Sequence, residues 1–415
     1  MKPHLTRSTR TRSTIQRSTF ERGTAAIALA IASGVVLAGC ASTSPDGASD
    51  GAGADATAPI VVGSVSSITG PAPFPEVPGA AQAVFDRVNA EGGINGRQIK
   101  LVSVDDGADP AQAAQAARRL VQEDGVVAMV GAASLVECSA NAAFYEKHDV
   151  VSIAGIGVEP ACFTAKNIAP VNNGTVPGYA SLLYFASETL GRENVCPVIL
   201  NSAGLTDPYL EVIKRWEEET GSKAPHVDTS VALGDDPTPA ILAVRDAGCD
   251  AVVFNANEPA AVAFMNTAKL QGVLDSADWL TLTSAYSETA YDALKAQGTL
   301  GMYANSEFLP FMSDDPALDA WRATLTAADV PRTSLSIGGY VSAEILVEVL
   351  KSIDGEITNE SVLAAFRALD EIENPLIGMP FTFGDATAHN PNRASRMVQA
   401  TENGWQTVGD WVVVP

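Results

Sequence analysis

Residues 85–131 read FDRVNAEGGINGRQIKLVSVDDGADPAQAAQAARRLVQEDGVVAMVG, and this run lays out helix, turn, strand, helix and strand in order. Ala80, Ala81, Val84, Phe85 and Val88 recur at helical spacing, so one face of the first helix is apolar and must be buried. Asn89 to Gly96 stops that helix. Gly92 and Gly93 suit a left-handed cap, and Asn95-Gly96 makes a turn at low steric cost. Ile99, Leu101, Val102 and Val104 follow as a short β-rich segment closed by Asp105, Asp106 and Gly107. Asp109-Pro110 then reads as N-cap and first residue of a second helix that runs to about Asp124. Val126 to Val130 is continuously apolar and too short for a helix, which is how a strand covered on both faces reads. The unit is β-α-β-α-β and parallel.

Taken together, NAEGGINGR (89–97), the Asp105-Asp106 pair, Asp109-Pro110 with its Ala-rich helix, and DGVVAMVG (124–131) resemble the branched-chain amino-acid type of ABC-transporter substrate-binding protein. The resemblance in element order extends from about Pro59 to Pro415. It implies an α/β fold of two doubly wound parallel-sheet lobes joined by a three-crossover hinge, the type 1 periplasmic binding fold. It also implies a small-molecule solute held in the interlobe cleft, membrane permease subunits as partners, a monomer, and no cofactor.

The N-terminus bears on location. Lys2, Arg7, Arg10, Arg12, Arg17 and Arg22 form a basic region, Thr24 to Ala38 an apolar one, and Leu37-Ala38-Gly39-Cys40 closes it. The apolar run is short for a membrane span, which needs about 20 residues. LAGC resembles the bacterial lipobox, which implies that Cys40 becomes the lipidated first residue of a mature protein held on the outer face of the cytoplasmic membrane. One acyl chain binds only marginally, at about 0.8 kcal/mol per buried methylene, so the two or three chains implied give a lasting anchor. Residues 41–58 are nearly all Ala, Gly, Ser, Thr and Asp without apolar period and read as a tether. Gly47-Ala48-Ser49-Asp50-Gly51 matches G-x-S-x-G, but that motif needs a strand before it and none precedes it here.

Loss of residues 1–39 would remove six basic residues and one acidic residue from a formal charge of −23, leaving −28. A body so acidic, with no basic stripe, disfavours a nucleic-acid partner. Roughly 355 residues after the tether make two lobes the natural division at about 100–200 residues per domain. Val195–Leu200, Val227–Ala232, Cys249–Asn255 and Trp279–Thr283 read as strands of lobe two, alternating with helices at 208–220, 237–247 and 259–271. The chain is expected to cross between lobes near Val171–Pro177, near Tyr303–Phe308, and after two late helices at 336–352 and 360–369 that return to lobe one. Met397 to Val414 reads as a hairpin turning at Gly404-Trp405. The expected division is residues 59–174 and 308–394 in lobe one, and 175–307 and 395–415 in lobe two.

Apart from Cys40, four cysteines remain, with three possible pairings. Cys138 and Cys162 follow neighbouring strands of lobe one, while Cys196 and Cys249 each open a strand in lobe two. The expected pairs are therefore Cys138–Cys162 and Cys196–Cys249.

No enzyme constellation emerges. Beyond the leader the histidines are His148, His226 and His389, scattered, with no HExxH, CxxC or Walker loop. Ligands in open α/β folds meet the loops at the carboxyl ends of strands. Ser66 follows the first strand, Ser134 and Leu135 the third, and Ile156 and Gly157 the fourth. Leu205, Asp207, Asn257, Glu258, Ser284 and Tyr286 follow strands of lobe two, and Asn257 and Asp207 read equally well as helix caps. In amino-acid-binding members of the resembling family, hydroxyl-rich stretches after the third and fourth strands hold the ligand carboxylate and an acid holds its ammonium group. Here those stretches read ASLVE (133–137) and GIGV (155–158), and Ser284 stands where the acid falls. The resulting expectation is a solute-binding lipoprotein of an ABC importer, with a ligand-sensing receptor of the same fold as the alternative.

Overall fold

The computed structural model describes residues 58–70, 73–201, 206–232, 234–389 and 392–414. The basic leader, Cys40, the tether up to residue 57 and Leu205 lie outside the described residues.

Lobe one begins with β1 (Ile60–Ser66), α1 (Glu76–Ala90), β2 (Ile99–Asp105), α2 (Pro110–Gln122) and β3 (Met129–Val130). The short β4 (Ala133–Ser134) leads into α3 (Glu137–Lys147), β5 (Ser152–Ile153), β6 (Ile156–Gly157) and α4 (Pro160–Thr164). The parallel sheet has the order β2-β1-β3-β5, and β4 and β6 form a separate two-stranded parallel pair. Each α2 signal read from sequence has its bond: Asp109 accepts from the amides of Ala111 and Gln112, and Pro110 opens the helix. Side chains alternate along a strand. Ile60 and Val62 accordingly join the core under α1, while Val65 joins a separate core with Leu120 of α2 and Tyr145 of α3. Residues 126–130 divide the same way, Ala128 and Val130 into the first core and Val126 and Met129 into the second, so the run is apolar throughout.

Lobe two runs α5 (Thr175–Tyr184), β7 (Val195–Val198), α6 (Thr206–Thr220), α7 (Thr238–Asp246), β8 (Ala251–Phe254), α8 (Glu258–Leu270), β9 (Asp278–Thr281), α9 (Glu288–Gln297) and β10 (Tyr303–Ser306). Ala251 and Val253 of β8 pack with Tyr179 and Trp216 on one face, and Val252 and Phe254 with Ile241 and Phe264 on the other. The chain then returns to lobe one through α10 (Asp319–Ala327), α11 (Ser334–Ser352) and α12 (Asn359–Arg367), where α11 lies against α1. It ends in β11 (Ala394–Thr401) and β12 (Gly404–Val413), which complete the second sheet in the order β12-β11-β10-β9-β8-β7.

Two expectations need correction. Val227–Ala232 is not a ladder strand; it touches the sheet only through isolated bridges, Val198 with Asp228 and Asn201 with Ala232. Asp228 Oδ1 accepts from both the amide and the hydroxyl of Ser230, and such local bonds compete with strand pairing. The final hairpin turns at Glu402-Asn403 rather than at Gly404-Trp405, since Thr401 pairs with Gly404. Gly404 sits at φ 101°, a conformation open to glycine, and Trp405 is already in the strand opposite Ala400.

Both cysteine pairs are joined, Cys138–Cys162 with Cα atoms 5.1 Å apart and Cys196–Cys249 with Cα atoms 5.9 Å apart. The second pair ties neighbouring strands, because β7 and β8 align Cys196 with Val252. Alkylation of the unfolded, unreduced domain is expected to label none of these four cysteines, and all four after reduction. Reduction is expected to cost about 2–4 kcal/mol per bond, read as a lower denaturation midpoint.

Candidate functional site

On lobe one the loops after β1, β2 and β4 meet around one buried carboxylate. Asp106 is wholly buried and accepts from Ser67 Oγ at 2.8 Å, from Ser134 Oγ at 2.5 Å and from the Ala108 amide at 2.8 Å. Ser134 Oγ in turn accepts from the amides of Val136 at 3.1 Å and Glu137 at 3.0 Å, so its lone pairs take two amides at the start of α3 while its proton goes to Asp106. Ser66 Oγ accepts from the Ala133 amide at 3.2 Å, and the Leu135 amide points to Ser67 Oγ at 3.4 Å. Behind them Glu137 is buried and takes the Tyr145 hydroxyl at 2.6 Å. Burial pushes its carboxyl up to about 7, and the nearby carboxylates Glu159 and Asp106 act in the same direction.

Glu159 accepts from the Ser139 amide at 2.9 Å. It also lies close to both sulfurs of Cys138 and Cys162. Those sulfurs are bonded to each other, so the group offers no thiolate to a metal.

The second lobe-one loop is held from below. The Gly157 amide donates to Asn172 Oδ1 at 2.7 Å, and Asn172 Nδ2 donates back to Gly157 O at 3.1 Å and to Glu307 Oε2 at 3.3 Å. Asn172 lies on the first passage between lobes and Glu307 on the second. From the third, Asn392 Nδ2 donates to Val171 O at 3.3 Å and Glu307 O at 3.2 Å. Ser395 Oγ accepts from Asn173 at 2.6 Å and from Asn305 at 3.2 Å. The three passages are thus one hydrogen-bonded hinge, with a buried carboxyl in it that desolvation raises to about 7.

Above the hinge, Val158, Pro160, Phe163 and Thr164 of lobe one face Thr175, Val176, Pro177 and Pro208 across a recess of about 170 Å³. Its lining is almost entirely apolar, the common make-up of a small-molecule site. A larger and more polar recess of about 740 Å³ lies between Tyr286, Ser287 and Glu288 and the segment containing Phe311, Trp321, Arg322 and Arg332.

The candidate residues do not all converge. Ser66, Ser134, Leu135 and Gly157 share the lobe-one face, but the buried Ile156 has its Cδ1 against Gly338 of α11. In lobe two, Asn257 is the N-cap of α8, accepting from Ala260, and Asp207 lies in the first turn of α6. Glu258 accepts from the Ser287 hydroxyl, and Ser284 Oγ donates to Ala256 O at 2.9 Å. Tyr286 is buried against Phe311 and Trp405, and its hydroxyl accepts from the Met312 amide at 3.2 Å, which places it on the polar recess. Phe163, Thr175, Val176, Glu307 and Asn392 escape a reading of the sequence. The Asn172-Asn173 pair in an otherwise apolar stretch is the one signal there of a buried polar hinge.

A family model described as periplasmic binding protein matches residues 59–405. Over 53 residues the chain is 55% identical to an amino acid binding protein of Pseudomonas aeruginosa, a match covering 13% of this chain and 14% of that relative. Over 386 residues it is 23% identical to Leu/Ile/Val-binding protein homolog 7 of Brucella abortus (strain 2308), covering 85% of this chain and 91% of the relative. Among solved structures, a fatty acid ABC transporter substrate-binding protein from Thermomonospora curvata superposes with a TM-score of 0.70 at 19% identity, over 86% of this chain and 92% of that one.

Proposed function

We propose that this chain, which belongs to the periplasmic binding protein family and is of its leucine-binding type, is the extracytoplasmic solute-binding lipoprotein of an ABC importer. Its role is to bind, not to catalyse. Two parallel-sheet lobes present strand-end loops to a shared apolar recess, and the passages joining them form one hydrogen-bonded hinge; that juxtaposition carries the reading. Residues 59–174 with 308–394 and residues 175–307 with 395–415 are the two bodies that move. Ligand bridging the recess gains contacts from both lobes that the open form lacks, which shifts the population toward closure. The closed form is then what membrane permease subunits recognise. The relatives are named for leucine, isoleucine and valine or for a fatty acid, solutes that share an apolar body.

The anchor is Cys40. Among the described residues no helix is long and apolar enough to cross a membrane. Cys40→Ser is expected to shift most of the protein from the membrane fraction to the soluble fraction, and retention at the wild-type level would refute lipidation there. For the binding role, solute released by denaturing the gently purified protein is identified by mass spectrometry and added back. Saturation is expected to shorten an interlobe spin-label distance by several ångströms; an unchanged distance would overturn closure.

A further inference from the structure

The groups on lobe one that would receive a ligand's carboxylate are already occupied by the protein itself. Asp106 holds the hydroxyls of Ser67 and Ser134, and Ser134 Oγ takes the amides of Val136 and Glu137 at the start of α3. The Gly157 amide is spent on Asn172 and the Ser139 amide on Glu159. An incoming anion would have to break bonds and leave Asp106 buried and unpaired, and a buried charge without partners is strongly disfavoured. It would also approach the buried Asp106 and Glu137 and the neighbouring Glu159, and the charges acting on Glu137 are those two carboxylates. Arg322 and Arg332 line the other recess, where Arg322 is bonded to the Ser313 carbonyl and to Asp319 and shares the space with Glu288 and Asp314. The wall formed by Val158, Phe163, Val176, Pro177 and Pro208 asks for apolar surface instead.

We propose that the solute taken up between Val158 and Pro208 is an uncharged, predominantly apolar small molecule without a carboxylate head, because Asp106 and Asn172 fill the receptor a carboxylate would use. The inference rests on the solute-binding role proposed above and narrows it: the chain keeps the scaffold of relatives named for amino acids and binds a different chemistry.

The test uses three chain-matched probes, 4-methylpentanamide, 4-methylpentanoate and L-leucine, titrated calorimetrically into the wild-type protein at pH 7.5. The amide is expected to bind at least tenfold more tightly than either carboxylate. Equal or tighter binding of a carboxylate overturns the inference and leaves the solute-binding role standing. Where no probe binds, the solute released on denaturation decides: a carboxylate-free molecule supports the inference, a carboxylate-bearing one overturns it, and no released solute defeats both it and the binding role. Asp106→Asn removes the charge and keeps one acceptor oxygen for Ser67 and the Ala108 amide, while its amide nitrogen would donate to Ser134 Oγ, and it is expected to narrow the amide-to-carboxylate ratio at least threefold. An unchanged ratio in a folded variant refutes the part given to Asp106. If that variant does not fold, the wild-type ratio alone decides.

Discussion

A chain carrying Gly339→Val is expected to lose at least about 3 kcal/mol of stability, and with it roughly 4–7 °C of melting temperature, or to fail to fold. A Cβ at position 339 would lie 2.0 Å from Val77 O and 2.8 Å from its carbonyl carbon, and one at position 338 would lie 2.3 Å from Gly155 O. These are backbone atoms, not the movable end of a side chain. α11 carries the glycine pair on the face that meets α1, and Gly155 presents its own backbone to them; a Cβ there would meet Val77 Cγ1 at 2.6 Å. Separating α1 from α11 would open the core around Val77, Ala81, Ile337 and Val341, all fully buried. Gly79→Ala is the control. Its Cβ would meet only the Val330 methyls at 3.6 Å and φ is ordinary, so it is expected to be neutral or stabilising by about 0.5–1 kcal/mol. Melts followed by circular dichroism settle both. A Gly339→Val melt within 2 °C of wild type would mean that the two helices do not touch at their backbones.

The second large effect is electrostatic. Glu307 is buried in the hinge, and desolvation holds its carboxyl near 7 against an ordinary 4.5. The groups facing it are the Asn172 amide nitrogen, the Gly174 backbone N–H and the Tyr209 hydroxyl; the first two favour its charged form but do not offset burial. The native state therefore binds a proton that the unfolded chain gives up between pH 4.5 and 7. Stability associated with that proton is fully present below about pH 4.5 and declines as pH rises to about 7, by up to about 3 kcal/mol at 1.36 kcal/mol per unit. Glu307→Gln mimics the protonated form. It is expected to match wild type near pH 4.5 and to exceed it by up to that amount at pH 8, in urea unfolding at each pH. Glu137 works in the same direction, and His389, whose burial lowers its pKa, works in the opposite one. Taking the difference between wild type and variant removes both. A difference independent of pH would mean that Glu307 is charged throughout.

Much of the fold can be read from local chemistry. Asp109-Pro110 and the glycines at 92 and 93 announce where helices begin and end because capping satisfies groups a few residues away. The disulfide pairing follows from strand order alone, since Cys196 and Cys249 open strands that any doubly wound lobe sets side by side. The hairpin turn was displaced by two residues because Gly404, a good turn former, serves here to start a strand at positive φ. Val227–Ala232 alternates as a strand does, and the backbone of Asp228 does bond to Pro197 and Ile199, but the Asp228 side chain turns the chain back onto Ser230, so pairing stays at isolated bridges.

The site was less accessible. Ser134 is visible in the sequence as a polar residue at the end of a strand, but nothing near it in the chain says that its proton goes to Asp106, 28 residues earlier. Tyr286 reads as a cleft residue and is committed to Phe311 and Trp405. Glu307 looks like any acid beside an apolar run until three passages of chain close around it.

By itself, then, the sequence determined the alternation of strands and helices, the two-lobed family and the cysteine pairs, because periodicity, caps and strand order are set by near neighbours. Only the tertiary structure decided which polar groups remain available to a ligand. A hydroxyl or amide has few bonds to give, and whether they are already given depends on residues such as Asp106, Asn172 and Glu307 that reach the cleft from distant parts of the chain.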